Sequence, residues 1–224
     1  MPLSIVATPI GNLQDITLRA IAALKSADAI ACEDTRVTSK LLTAHDIKKP
    51  LLIFHEHTDG HKIGQMIDRM QKGERIVYVS DAGTPGMNDP GGKLVSAALD
   101  AGIVVEPIPG PSALTAAISA CGFPMDEFRY LGFAPHKKGR QTFFTELADD
   151  PKPSVFLEST HRIEKTLDAL AEAIGGSRLL WIGRELTKMH ETLYRGTVED
   201  VRKGIKETSI KGEFIVVVGP KKKR

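Results

Sequence analysis

The chain has 224 residues, 42% of them hydrophobic and 26% charged, with a formal net charge of +2. That length suits one large domain or two small ones, the composition is that of an ordinary soluble globular protein, and the balance of charge gives no bulk argument for nucleic-acid binding. Cys32 and Cys121 supply neither a disulfide framework nor a metal spacing, the N-terminus MPLSIVATPIGN lacks a signal-peptide pattern, and no apolar run reaches membrane-spanning length, so a cytoplasmic protein is expected.

Short β-rich runs alternate with helical patterns. Residues 3–8 read as a strand, and Asp15 as the N-cap of a helix whose Leu18, Ile21 and Ala22 share one face. Residues 27–32 predict a second strand, 37–44 a helix and 51–55 a third strand. A helix over 63–71 stops at Gly73, and a fourth strand follows over 75–80. A helix over 94–101 closes at Gly102 before a fifth strand over 103–107. This βαβ rhythm predicts an α/β domain with a mostly parallel sheet over residues 1–115. An alanine-rich helix follows Pro111, and Gly122-Phe123-Pro124 breaks the rhythm. A second α/β domain with a mixed sheet is expected over 116–220, with strands at 128–133, 154–158, 179–183 and 213–218 and helices at 139–148 and 163–174. A basic tail, 221–224, ends the chain. Two such halves predict a ligand cleft between them.

The fourth strand empties into YVSDAGTPGMNDPGGK, a loop dense in glycine and proline. It is either a tight connection or a place where something touches the backbone. Gly86 and Gly91 nearly spell a P-loop, but Gly92 stands where lysine is needed and Leu94 where the magnesium-binding hydroxyl belongs. No GxGxxG follows the first strand and no GxSxG elbow exists. The His55-Glu56-His57-Thr58-Asp59-Gly60-His61 stretch has no second ligand cluster, so no metal is expected.

Five blocks sit at strand ends of the first half: VATPIGNLQDITLRA, ACEDTRVTSKLL, FHEHTD, SDAGTPGMNDPG and PIPGPSAL. The second half adds GFAPHKKGRQ, FLESTHRIEKTL, GRELTKMHETLYRGT and KGEFIVVVGP. Their order and spacing closely resemble the tetrapyrrole-methylase-like class of S-adenosylmethionine enzymes, from about Ser4 to Pro220. Within it the chain looks like the bacterial ribosomal RNA small-subunit methyltransferase I family. Val6-Ala7-Thr8-Pro9-Ile10-Gly11-Asn12 replaces the VGxGPGD-type loop usual in methylases of tetrapyrroles.

The resemblance implies two α/β domains of the tetrapyrrole methylase type with S-adenosylmethionine folded into the interdomain cleft. It implies 2′-O-methylation of a cytidine in the decoding centre of 16S rRNA, 16S rRNA or the 30S subunit as partner, and a homodimer. By position it assigns the cofactor to Pro9, Asp81, Ala82, Gly83, Thr84, Met87, Ser112 and Ala113, and to Leu157, Leu186, Gly212 and Glu213 of the second domain. A tetrapyrrole (precorrin) or diphthine-type methyltransferase of the same fold is the alternative.

Methyl transfer from a sulfonium is an in-line displacement that needs alignment and, for a ribose hydroxyl, a proton acceptor. Candidate bases are Glu33, Asp34 and His55, with Asp34 preferred and Asp81 also in reach of the cofactor loop. Helix capping is the competing reading of Glu33 and Asp34, which precede a helix start. Arg19, Arg36 and Lys40 are candidate phosphate contacts at that rim, and Lys137, Lys138, Arg140 and Arg162 in the second domain.

Overall fold

The computed structural model describes residues 1–176 and 178–221. Two compact units make up the chain, one spanning Met1–Ser112 and the other beginning at Ala113. Of the expected basic tail, residues 222–224 lie outside the described residues.

The first unit is a five-stranded sheet, β1 (Leu3–Val6), β2 (Ala29–Cys32), β3 (Leu51–Ile53), β4 (Ile76–Val79) and β5 (Val105–Ile108), in the order β3-β2-β4-β1-β5. Every pairing is parallel. The inner strands AIAC and IVYV are buried along their whole length, as a sheet covered on both faces requires. Alternation divides their side chains between two cores. Val6, Ile30, Val77 and Val79 meet Leu24 of α1 (Leu18–Ser26) and Leu41 and Leu42 of α2 (Thr35–Ala44). Leu3, Ala31, Ile76 and Tyr78 meet Met66 and Met70 of α3 (Gly60–Gln71) and Leu94 of α4 (Gly91–Asp100). Parallel strands put all five outgoing loops at one end of the sheet; the helix-to-strand returns at the other end are short, with Gly73 and Gly102 at φ +97° and +71°.

In the second unit the strands β6 (Arg129–Phe133), β7 (Ser154–Ser159), β8 (Leu180–Arg184), β9 (Thr192–Gly196) and β10 (Glu213–Val218) are ordered β6-β7-β10-β8-β9. Only β6–β7 pairs in parallel. Phe156, Ile182, Phe214 and Val216 pack against α6 (Arg140–Asp149), α7 (Ile163–Ile174) and α8 (Val198–Glu207). Val155, Trp181, Ile215 and Val217 pack against α5 (Ala113–Cys121) on the other face. Arg178 is fully buried and makes no ion pair with a carboxylate among the described residues. Its guanidinium donates to the carbonyls of Gly219, Leu147, Asp150 and Lys152 at 2.6, 2.9, 2.9 and 2.7 Å, tying the end of α6 to the chain beyond β10.

Three local expectations are corrected. Asp15 does not cap α1: it closes a short 3-10 turn, Leu13–Asp15, and Thr17 is the cap, its hydroxyl accepting from the Ala20 amide at 3.1 Å. Helix α4 starts at Gly91, not 94: Pro90 is its N-cap residue, and the Gly91 amide is satisfied by the Asp89 carboxylate at 2.8 Å. The strand β9 and helix α8 were not anticipated.

Candidate active site

The loop after β4 is tied to the loops around it by its own main chain. Thr8 and Gly83 exchange amide-to-carbonyl bonds of 2.9 and 3.0 Å, and the Thr8 hydroxyl donates to the Ser80 carbonyl at 3.1 Å. The Thr84 hydroxyl donates to the Pro111 carbonyl at 3.0 Å, reaching the loop after β5. Gly83 sits at φ +82°, and a Cβ there would stand 3.2 Å from Ile10 Cγ2. A side chain at Gly83 is strained by conformation and would need Ile10 to move by a few tenths of an ångström. The neighbouring Ala82 is exposed, and its N–H makes no hydrogen bond among the described residues.

The rest of the loop is folded around Asp89, whose importance sequence reading missed. Its carboxylate accepts from the amides of Gly86 (2.5 Å), Met87 (3.1 Å) and Gly91 (2.8 Å) and from the Tyr78 hydroxyl at 3.1 Å. A Cβ on Gly91 would fall 2.4 Å from Tyr78 Cε1. The Asn-Asp-Pro-Gly string carried this signal, since Asp before such a turn commonly accepts from amides two residues on. Asn88 takes φ +68°, a conformation asparagine tolerates.

Beside this loop, at the end of β2, stand Glu33 and Asp34, and they differ in kind. Asp34 is the N-cap of α2: its carboxylate accepts from the Arg36 amide at 2.8 Å and pairs with the Arg36 guanidinium at 2.6 Å. These bonds hold its carboxyl at about 2, well below the usual range. Such a group is a poor proton acceptor at neutral pH, which counts against Asp34 as the base. Glu33 is half-buried; burial, then the charges of Asp81, Asp89 and Glu56, push its carboxyl up to about 7. Asp81 meanwhile accepts from the Asp34 amide at 3.0 Å, joining the β4 loop to the β2 loop.

His55 follows β3. Its Nδ1 accepts from the His57 amide at 3.2 Å while its own amide donates to the Thr58 hydroxyl. Pro9 and Met87 are half-buried in the loops after β1 and β4, and Ser112 closes the first unit, with Ala113 opening α5.

In the second unit the strand directions put the loops after β6, β7 and β8 and the one before β10 at a single end of the sheet. Leu157 lies on β7 opposite Ile215. Leu186 lies over Gly183, where a Cβ would be 2.6 Å from its Cδ2. Gly212, at φ +130°, has Glu185 Cγ 2.5 Å from where its Cβ would be. Glu213 accepts Lys188 Nζ at 2.9 Å, while its amide donates to Glu185 at 2.8 Å.

The candidate phosphate contacts separate by environment. Lys40, Lys137 and Lys138 are exposed. Arg19 lies 3.7 Å from Glu106 and Arg36 is engaged by Asp34, both on the surface. Arg140 and Arg162 are otherwise employed. They flank Glu158, whose side chain is wholly buried, at 3.6 and 2.8 Å. Arg140 also donates to Thr166 at 2.7 Å and Arg162 to the Ala134 carbonyl at 2.7 Å. Thr166 completes the group by donating to Glu158 at 2.6 Å. A buried carboxylate needs such partners, so both arginines have a structural role in satisfying Glu158.

The family described as tetrapyrrole (corrin/porphyrin) methylases matches residues 2–202. A Mesorhizobium japonicum protein named ribosomal RNA small subunit methyltransferase I is 46% identical over 220 residues, covering 97% of this chain and 75% of the relative. One of the same name from Thermotoga maritima is 42% identical over 219 residues, covering 98% of each. Among solved structures, a cobalt precorrin-4 methyltransferase superposes with a TM-score of 0.70 at 20% identity, over 97% of this chain and 94% of the other. That likeness concerns the fold alone.

Proposed function

The chain belongs to the ribosomal RNA small subunit methyltransferase I family, within the tetrapyrrole methylases, and from that premise we propose that it methylates the ribose 2′-hydroxyl of a cytidine in the decoding centre of 16S rRNA. Methyltransferases of this family use S-adenosylmethionine, which when bound supplies a methyl group on a cationic sulfur.

The residues present fit that donor. Ala82 offers an exposed N–H that makes no bond among the described residues, Gly83 presents no side chain, and Asp81 on the same loop supplies the negative charge a sulfonium prefers. We assign Pro9, Ala82, Thr84 and Met87 to holding it. Leu157, Leu186, Gly212 and Glu213 remain our assignments in the second unit.

The observation that carries the chemistry is the elevated carboxyl of Glu33. A base that titrates near 7 balances being deprotonated at neutral pH against being basic enough to take a proton. Glu33 accepts the hydroxyl proton as the oxygen attacks, and Asp34 holds α2 and Arg36 in place beside it. The Thr8–Gly83 and Thr84–Pro111 bonds keep the loop fixed, so that alignment rather than loop ordering is supplied on binding. We further infer a cytoplasmic homodimer that acts on the 30S subunit. No described helix is long and apolar enough to cross a membrane.

The reading is tested by incubating the protein with tritiated S-adenosylmethionine and 30S subunits that lack the modification, then mapping the product by mass spectrometry of nuclease fragments. One 2′-O-methylcytidine in the decoding region is expected. A methylated base, or transfer to a precorrin in place of RNA, overturns it.

A further inference from the structure

Resting on the RNA reading above, we propose that Met189 is a nucleobase contact: a preformed apolar tip that packs on an unstacked base beside a row of lysines that hold the flanking phosphates. Met189 is 93% exposed, the most exposed large apolar side chain among the described residues. A lone exposed methionine is unremarkable on a loose loop. This one stands on a turn that is pinned at nearly every residue.

The turn links β8 to β9. The Lys188 amide donates to the Glu185 carbonyl and the Glu191 amide to the Lys188 carbonyl, each at 3.0 Å. The Glu191 carboxylate reaches back to the Thr187 amide at 2.6 Å. Lys188 Nζ bridges Glu185 and Glu213 at 2.9 Å each. From below, the buried Arg184 holds the His190 carbonyl at 2.8 Å and the Lys211 carbonyl at 2.6 Å. Glu185 and Thr187 take φ +51° and +65°, conformations costly for residues with a Cβ and worst for a branched one. The surrounding bonds hold this geometry in place, and its visible result is an outward methionine with little left to order on binding.

The neighbourhood identifies the occupant. The strand order places Lys137 and Lys138 after β6, His161 after β7 and Lys211 before β10, on the same sheet end as the turn. All four are exposed. From β6 to β8 is three strand spacings, roughly 14 Å, the reach of a few nucleotides rather than of a small ligand. Lys137, Lys138 and Lys211 share this sheet end with a turn whose carboxylates Glu185 and Glu213 are bridged by Lys188; together with the apolar, polarisable tip they are complementary to a polyanion with flat apolar bases. A second copy of this chain, docked by the same end about a twofold axis, would set those lysines against one another.

Binding of the full chain to unmodified 30S subunits across a salt series, with methyl transfer measured in parallel, tests this. Met189→Ala is expected to weaken binding and raise KM about tenfold, with the salt slope unchanged and Met189→Leu close to wild type. Lys137→Ala, Lys138→Ala and Lys211→Ala are each expected to reduce the slope by about 0.7. Donor affinity by calorimetry stays unchanged in all of them. Wild-type affinity in Met189→Ala overturns the inference, as does a change in its sedimentation in the absence of RNA, which would make the tip a contact between copies. If the wild type binds subunits without methylating them, the functional reading fails while the binding comparison still decides the role of Met189.

Discussion

Adjacent carboxylates at the end of β2 have opposite electrostatic fates. Asp34, capping a helix and paired with arginine, stays ionised far below neutral pH, whereas Glu33 is held protonated until about 7 by burial and by Asp81. Between its ordinary 4.5 and about 7, folded Glu33 carries a proton that the unfolded chain has released. Its stabilising contribution is thus complete below 4.5 and is lost as pH rises through about 7. Glu33→Gln, neutral at every pH, is expected to melt with the wild type at pH 4.5 and above it at pH 8, while transfer falls by about 10²- to 10⁴-fold. Asp34→Asn keeps an N-capping oxygen and is expected to retain most activity. Thermal scans at both pH values and a kcat/KM profile rising through pH 7 check this. The sequence shows both carboxylates before a helix, but which one caps depends on backbone dihedrals, and which one is surrounded by other carboxylates depends on loops distant in sequence.

Elements whose burial is continuous were the legible ones. The inner strands of both sheets and α7 announce themselves as apolar runs or 3.6-residue stripes. By contrast β9 is an edge strand with Tyr194 its one buried side chain, and charged α8 hides a three-residue apolar stripe, Val198, Val201 and Ile205. The signal for α8 was present as Thr197 and Asp200, which form a reciprocal capping box. Of the candidate site, the glycine loop was legible as a place of close backbone approach, but the reason for Gly91 was not. It makes room for Tyr78, whose hydroxyl donates to the Asp89 carboxylate that gathers the loop amides. Gly91→Ala is accordingly expected to cost about 1–3 kcal/mol by overpacking, read from denaturant unfolding, and to weaken donor binding beyond that loss.

Across the whole molecule, each unit has its own cores and its own devices for stability. In the second, Arg178 satisfies four carbonyls at once, and burial lowers its pKa without neutralising it. Arg178→Met leaves those four carbonyls without this donor, each buried one costing about 1–3 kcal/mol, and is expected to be strongly destabilising. Hydrogen exchange should show lost protection in α6, β7 and β10, with β1, β2 and β4 keeping theirs; uniform loss across the chain would contradict the assignment. The segregation of the first sheet, with the strand-end loops at one end and short glycine-closed returns at the other, also has a practical use. A dye or tether attached at exposed Lys72, on one of those returns, would sit across the sheet from the glycine-rich loop after β4. Anchored to a surface there, the protein would keep that loop open to the 30S subunit proposed as its partner.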